Sequence, residues 1–191
     1  MFVLDSNNFK KARITLTLIF LNIIFFFTIN TNIELFYLFV QINGRIFNNL
    51  EYWRIITAMF IHGDLLHLFS NMFGLLLFGT FVETSLSKFN YILAYFFSGL
   101  LGNIFSLFLL SSTIISLGAS GAIFGLMGVS FVIIAMQEDK SLLFLGVIYL
   151  ILFLVSSLSP DINIYAHIFG LIGGIAFGYL FYKKNQFKTS I

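Results

Sequence analysis

The chain is a succession of long apolar stretches separated by short polar ones. Apolar windows of roughly 17 to 25 residues mark spanning helices, because the hydrocarbon core of a bilayer is about 30 Å thick. We predict six such helices, over residues 12–29, 65–83, 90–110, 120–136, 141–157 and 163–182. The pattern therefore predicts an all-α membrane protein built as a bundle of six transmembrane helices.

The six helices are expected to form one domain over residues 12–182. A short segment of residues 1–11 precedes it, and a basic tail of residues 183–191 follows it. The first helix lacks a small-residue cleavage site before a soluble domain, so we interpret it as a retained helix rather than a signal peptide. The connection over residues 30–64 is too apolar for a plain linker, which predicts that it rests in the membrane interface.

Composition supports the membrane assignment and removes other classes of protein. Hydrophobic residues make up 59% of the chain and charged residues 9%, and the mean hydropathy is +1.00. A soluble domain carries about 25% charged residues, so this deficit excludes nucleic-acid binding despite the net charge of +2. Cysteine is absent, which excludes disulfides and thiolate chemistry.

The distribution of lysine and arginine predicts the orientation. With a cytoplasmic N-terminus, most of the 10 basic residues lie on the inner side: Lys10, Lys11, Arg13, Lys88, Lys140, Lys183, Lys184 and Lys188. Only Arg45 and Arg54 then lie on the outer side. Because cytoplasmic loops are enriched in lysine and arginine, we predict a multi-pass cell-membrane protein with both termini in the cytoplasm.

Three polar side chains are predicted to lie at one depth. His67, Ser120 and His167 fall in the first few residues of the second, fourth and sixth helices. In the predicted topology all three helices run from the outer face inward. Polar and ionisable groups inside a membrane are expensive and mark functional sites by default, so we expect the three residues to share a site near the outer face.

The second helix has a clear start signal. Asp64 is a suitable N-cap, which would begin the helix at Leu65 and place His67 and Asn71 on one face at i and i+4. His62 would then lie in the loop before the cap, near the same site. The histidine spacing differs from the HExxH pattern of a zinc helix, although three histidines leave metal binding open as an alternative.

Glycine pairs give a reason for the fourth and sixth helices to touch. Small residues four apart allow close helix approach where lipid offers no hydrophobic drive. Three such pairs lie on these two helices: Gly121 with Gly125, Gly170 with Gly174, and Gly174 with Gly178. Such contact would bring Ser120 near His167, unless the glycines only reflect their general abundance in membrane helices.

Five segments, in this order, resemble the motifs of one family. They are WR at residues 53–54, HGDLLHLFSN at 62–71, FGTFVE at 78–83, GASGAIFG at 118–125 and AHIFGLIGG at 166–174. The chain resembles the rhomboid intramembrane serine proteases. The resemblance implies a six-helix core around a water-filled cavity that opens to the outer face, with the serine at the start of the fourth helix.

The resemblance also implies roles for individual residues. Ser120 would be the nucleophile, and His167 the general base that later protonates the leaving amine. Phe124 would stack on the histidine, where many relatives carry tyrosine. The side chains of His67 and Asn71, with the backbone N–H of Ser120, would stabilise the oxyanion, although Asn71 could instead be only an interhelical hydrogen bond.

Other residues are expected to support the site. Gly118 and Gly121 would allow close backbone approach around the nucleophile. The resemblance implies that Trp53 and Arg54 position the outer loop, although Arg54 could equally be an ordinary interfacial anchor, and that Glu83 ties helices and loop together. No acidic residue has a clear orienting position beside the histidine, and Asp161 is the nearest in sequence.

We therefore predict a serine endopeptidase without cofactor or metal, which hydrolyses peptide bonds in or near transmembrane segments of membrane-protein substrates in the bilayer. The alternative is an inactive rhomboid-like protein that binds transmembrane clients without cutting them. A small transporter would need a polar path across the membrane, whereas these polar groups gather near one face. Aspartyl proteolysis would need paired intramembrane aspartates, which the sequence lacks.

Overall fold

The computed structural model describes residues 10–136, 140–156 and 162–189 of the chain. In chain order its elements are α1 (Arg13–Ile29), α2 (Ile33–Phe39), β1 (Gln41–Ile42), α3 (Asn43–Asn49), α4 (Arg54–Thr57), α5 (Leu65–Ser85), α6 (Lys88–Leu109), β2 (Ile115–Ser116), α7 (Ser120–Met136), α8 (Lys140–Ser156) and α9 (Ile164–Thr189). Apart from the two-residue strands, the regular structure is helical, and the all-α fold is confirmed.

The six apolar windows all correspond to helices. Their ends agree with the prediction to within about two residues, except that α9 continues to Thr189. Among the described residues, α5, α6 and the Ile164–Tyr182 part of α9 are long and apolar enough to cross a membrane. The apolar parts of α1, α7 and α8 are shorter, so the number of spans stays a prediction.

Helix α5 contains an irregular turn that the sequence pattern did not predict. Its first ten residues, Leu65–Gly74, are α-helical, but Leu75–Gly79 forms a π-helical turn before the α-helix resumes at Thr80. A π turn holds more residues than an α turn and rotates the faces that follow it. The period of the apolar residues alone does not reveal such a change.

The connection over residues 30–64 is a folded layer rather than a flexible loop. It contains α2, α3 and α4, and its strand β1 pairs antiparallel with β2, with Gln41 opposite Ser116. Arg54 is only 1% exposed, and its guanidinium donates to the main-chain oxygens of Tyr37 and Val40 at 2.6 and 2.8 Å. Arg54 therefore holds the connection together, and the alternative of an ordinary interfacial anchor is wrong.

Glu83, near the C-terminal end of α5, joins this helix to α1 and α6. Its buried carboxylate accepts hydrogen bonds from the N–H groups of Ile14 and Thr15 at 2.9 and 2.7 Å, and from the Thr15 hydroxyl at 2.7 Å. The Thr15 hydroxyl also lies 2.8 Å from that of Tyr91 on α6. A carboxylate at the N-terminus of α1 satisfies first-turn N–H groups that lack helical partners, so α5, α1 and α6 are tied together.

Helix α7 lies at the centre of the bundle and packs closely on α9. A Cβ built on Gly174 would lie 1.9 Å from the main-chain oxygen of Gly125, and one on Gly170 would lie 2.1 Å from that of Gly121. Only glycine permits such approach, which confirms the predicted glycine contacts between these helices. Gly128, which the pattern did not single out, makes a similar contact with Leu171.

We expect Gly174→Ala to destabilise the fold, because its methyl group would push against the backbone of α7. Overpacking of this kind commonly lowers the free energy of unfolding by about 1–3 kcal/mol or more. Gly173→Ala is the matched control, since the nearest atom to its methyl group would be the end of the flexible Leu101 side chain, at 2.9 Å, and no backbone atom would lie closer than 3.5 Å. Thermal unfolding in detergent compares the two, and equal stability would contradict the close contact.

Candidate active site

The segment before α7 places Ser120 as the first residue of that helix. Gly118 adopts a φ of +112°, in the left-handed region that favours glycine, and its N–H donates to the main-chain oxygen of Ala58 at 2.9 Å. A Cβ on Gly118 would lie 2.8 Å from His67 Nε2 and 3.7 Å from Ser120 Oγ. Glycine is therefore required here for both its conformation and its small size.

Ser120 and His167 meet across the contact between α7 and α9. His167 Nε2 lies 2.8 Å from Ser120 Oγ, within the normal range of a hydrogen bond. Ser120 is 8% exposed and His167 is 5% exposed, so neighbouring groups largely cover the pair. The close approach at Gly121, where a built Cβ would lie 3.2 Å from the Ala166 oxygen, keeps the two helix starts together.

An aromatic ring fixes one face of the His167 imidazole. Phe124 lies one turn after Ser120, is fully buried, and stacks on His167 with ring centroids 4.4 Å apart and planes at 19°. Phe153 of α8 packs against Phe124 with a centroid distance of 5.0 Å. Because side chains from α7 and α8 support each other here, the imidazole is held in a defined orientation.

Helix α5 supplies His67 to the same site. As predicted, α5 begins at Leu65, and the Asp64 side chain caps it by accepting from the N–H of His67 at 2.8 Å. A Cβ built on Gly118 would lie within 4 Å of both the His67 ring and Ser120 Oγ, so the two side chains border the same space. The structure therefore gathers His67, Ser120 and His167 at one end of the bundle.

Asn71 lies one turn farther along the same helix and is 3% exposed. Its amide nitrogen donates to the main-chain oxygen of His67 at 2.9 Å, and its side chain also interacts with the neighbouring ring of His62. One N–H of the amide remains available to a ligand, because the group has two. In this conformation Asn71 supports its own helix rather than contacting Ser120.

His62 lies in the loop before the cap, as predicted, and is completely buried. Its ring packs edge to face on that of His67, with centroids 5.0 Å apart. Burial, with a smaller contribution from His67, lowers the pKa of His62 to about 3, so the ring is neutral at pH 7. Within the described residues, no group of three histidine, aspartate or glutamate side chains is arranged to hold a metal ion.

Trp53 and Glu83 lie away from this group. The Trp53 ring is half-exposed in the 30–64 connection, where its N–H donates to the Leu38 oxygen at 3.4 Å. Glu83 lies near the far end of α5. Asp161 lies outside the described residues.

Sequence reasoning missed Asn163, which directly precedes α9. Its Oδ1 accepts from the N–H of Ala166, and its Nδ2 donates to Ser116 Oγ at 2.8 Å. An asparagine before an apolar helix is a recognised N-cap signal, so the cap could have been predicted. The bond to Ser116 depends on how β2 packs beside α9, and no local pattern reveals it.

Comparison with known proteins shows the family of the chain. A model of the Rhomboid domain matches residues 49–184, which is more than half of the chain. The chain belongs to the rhomboid family. The matched region of this rhomboid includes all of α5, α6 and α7 and both members of the Ser120 and His167 pair.

Individual relatives support the same family. A Bacillus subtilis protein named "Putative rhomboid protease YdcA" is 33% identical over 144 residues, which cover 72% of this chain and 71% of that protein. The Arabidopsis thaliana protein named "RHOMBOID-like protein 6, mitochondrial" is 35% identical over 141 residues, 71% of this chain but 46% of that protein. Another Arabidopsis relative, 32% identical over 130 residues that cover 65% of this chain and 36% of that protein, is named "Inactive RHOMBOID-like protein 8".

Proposed function

We propose that this rhomboid is an intramembrane serine endopeptidase that hydrolyses peptide bonds in or near the transmembrane segments of other membrane proteins. The observation that carries the proposal is the 2.8 Å contact between Ser120 Oγ and His167 Nε2. A serine hydroxyl is a weak nucleophile unless a base lies within hydrogen-bond reach. The Bacillus subtilis relative, which is named "Putative rhomboid protease YdcA", adds support from the family.

In this mechanism Ser120 Oγ attacks the carbonyl carbon of the scissile bond while its proton passes to His167 Nε2. The imidazolium then gives that proton to the leaving amine, which departs with the C-terminal part of the substrate. A water molecule, deprotonated by His167, hydrolyses the acyl-enzyme and regenerates Ser120. Stacking on Phe124 would keep the imidazole aligned through both steps, and water is the only co-reactant that they require.

The oxyanion of each tetrahedral intermediate needs donors in fixed positions. The N–H of Ser120 lies in the first turn of α7, where N–H groups lack helical acceptors and the helix dipole favours negative charge. The His67 ring faces the same space beside Gly118, and Asn71 has an N–H available. We assign these three groups to oxyanion stabilisation.

We also propose that all six apolar helices cross the membrane as one domain over residues 12–182. The 17 residues of α1 or α7 extend for about 26 Å, close to the thickness of the hydrocarbon core. The bias in basic residues supports an orientation with residues 1–11 and 183–191 in the cytoplasm and the Ser120 end at the outer face of the cell membrane.

The second candidate function is binding of transmembrane clients without cleavage. A relative that is named inactive motivates it. In this chain, however, serine and histidine are both present and in contact, which favours the enzyme. Purified protein in lipid vesicles, incubated with a panel of single-span substrates and followed by fragment mass, distinguishes cleavage from binding alone.

Ser120→Ala and His167→Ala are each expected to lower the rate of cleavage by about 10⁴-fold or more, because nucleophile and base act as a unit. Ser130→Ala is the matched control, because this buried serine lies on the same helix and its hydroxyl donates to the Leu126 oxygen. The Ser130→Ala variant should cleave substrates at the wild-type rate. Undiminished cleavage by either site variant, at equal expression, would contradict the dyad.

His67→Ala and Asn71→Ala should lower kcat by about 10- to 1000-fold with little change in KM, since oxyanion contacts strengthen mainly in the transition state. Steady-state kinetics on a cleaved substrate, with the melting temperature of each variant, provide the measurement. If the melting temperature falls while kcat is retained, these side chains are only structural links.

Cysteine labelling in intact cells tests the orientation, and the chain has no native cysteine to interfere. Ser120→Cys should react slowly with a small membrane-impermeant thiol reagent added outside, because the residue is 8% exposed. Ser130→Cys, about 15 Å deeper along α7, should not react. Ser87→Cys, exposed at the other end of the bundle, should react only after permeabilisation, and the reverse pattern would invert the topology.

A further inference from the structure

A hydrogen-bonded junction at Asn163 links the two segments that carry Ser120 and His167. The Asn163 Oδ1 accepts from the N–H of Ala166 at 3.1 Å, which caps the start of α9. The Nδ2 of the same amide donates to Ser116 Oγ on β2 at 2.8 Å. One side chain therefore binds both α9 and the strand that leads to α7.

The junction lies close in sequence to both reacting residues. Asn163 precedes His167 by four residues, and Ser116 precedes Ser120 by four. His167 is in the first turn of α9, so a shift of the helix start moves its imidazole directly. On the other side, Ser116 leads into Gly118, whose N–H is fixed on the Ala58 oxygen.

Further contacts surround the junction. Ser116 is 4% exposed and belongs to the ladder with Gln41 of β1. The hydroxyl of Ser106 on α6, which is completely buried, lies 3.1 Å from Asn163 Oδ1. Three elements, α6, α9 and β2, thus converge on one amide, and its hydrogen bonds are partly buried, where a hydrogen bond is electrostatically stronger than in bulk water.

Helix capping alone does not account for both bonds. A cap needs only the side-chain oxygen, which serine, threonine or aspartate supplies as well as asparagine does. The bond from Nδ2 to Ser116 adds nothing to the cap, but it fixes the distance between the segments whose side chains must meet. A displacement of about 1 Å at a reacting group can lower a rate by about 100-fold.

We propose that Asn163 is a positioning residue, which holds His167 against Ser120 by tying the start of α9 to Ser116. This role rests on the proposed protease function. Asn163 itself does not touch the reacting atoms and acts through the helix and strand that it joins.

The test uses Asn163→Ala, Ser116→Ala, the double variant and Asn163→Ser, all in lipid vesicles. Asn163→Ser keeps an oxygen for the cap but is too short to retain the bond to Ser116. A small fluorophosphonate is used to modify Ser120. The total amount of labelling gives the number of competent sites, and the rate of labelling measures the reactivity of the serine without a protein substrate. Cleavage kinetics then give kcat per competent site and KM.

We expect each single variant to lower kcat per competent site and the labelling rate by about 10- to 100-fold with KM nearly unchanged. The double variant should be no worse than Asn163→Ala, because that change already removes the bond to Ser116, which is the bond that Ser116→Ala removes. Ser87→Ala is the matched control, since Ser87 caps α6 by accepting from the N–H of Asn90 at the opposite end of the bundle. It should change the melting temperature without changing kcat.

Wild-type kcat and labelling rate in Ser116→Ala and Asn163→Ser would overturn the positioning role and leave Asn163 as a cap only. Ser116→Ala retains the cap, so it answers the question even where Asn163→Ala does not fold. If the wild type neither cleaves any substrate nor reacts with the fluorophosphonate, the protease function itself fails, and the positioning role fails with it.

Discussion

Contact between the backbones of α7 and α9 is the constraint on which the site depends. Lipid gives two helices no hydrophobic reason to associate, so packing and hydrogen bonds must hold them. At Gly125 and Gly174, and again at Gly121 and Gly170, the chains approach so closely that a methyl group would overlap a carbonyl oxygen. A hydrogen bond between Ser120 and His167 tolerates only a few tenths of an ångström, so this contact sets whether they meet.

The folded connection over residues 30–64 provides hydrogen-bond partners for backbone groups that lie away from water. An unpaired polar group in such surroundings is expensive. Long polar side chains reach those groups: Arg54 binds two main-chain oxygens, and Gln41 and Asn103 donate to the oxygens of Asn103 and Ile55. The resulting layer holds β2, and β2 leads directly to Gly118 and Ser120.

The features predicted correctly from sequence are those that local chemistry determines. The lengths of the apolar stretches predicted where the helices begin and end, and an aspartate before an apolar run predicted the cap of the helix that starts at Leu65. The π turn at Leu75–Gly79, the burial of Arg54 and the bond from Asn163 to Ser116 were not predicted. Each depends on what a distant segment places beside the residue, and a single sequence without a structure does not contain that geometry in readable form.

The chemistry suggested for this site suits a region where charge is costly. Ser120 is almost fully covered, and Phe124 orients the His167 imidazole by stacking, which adds no charge that must be desolvated. Burial lowers the pKa of His62, so the ring beside His67 stays uncharged even below pH 7 and brings no permanent charge. A site of this kind develops opposite charges only as the tetrahedral intermediate forms, on the oxyanion and the imidazolium. Because the low-dielectric surroundings strengthen the interaction of fixed donors with that new charge, stabilisation is concentrated in the transition state.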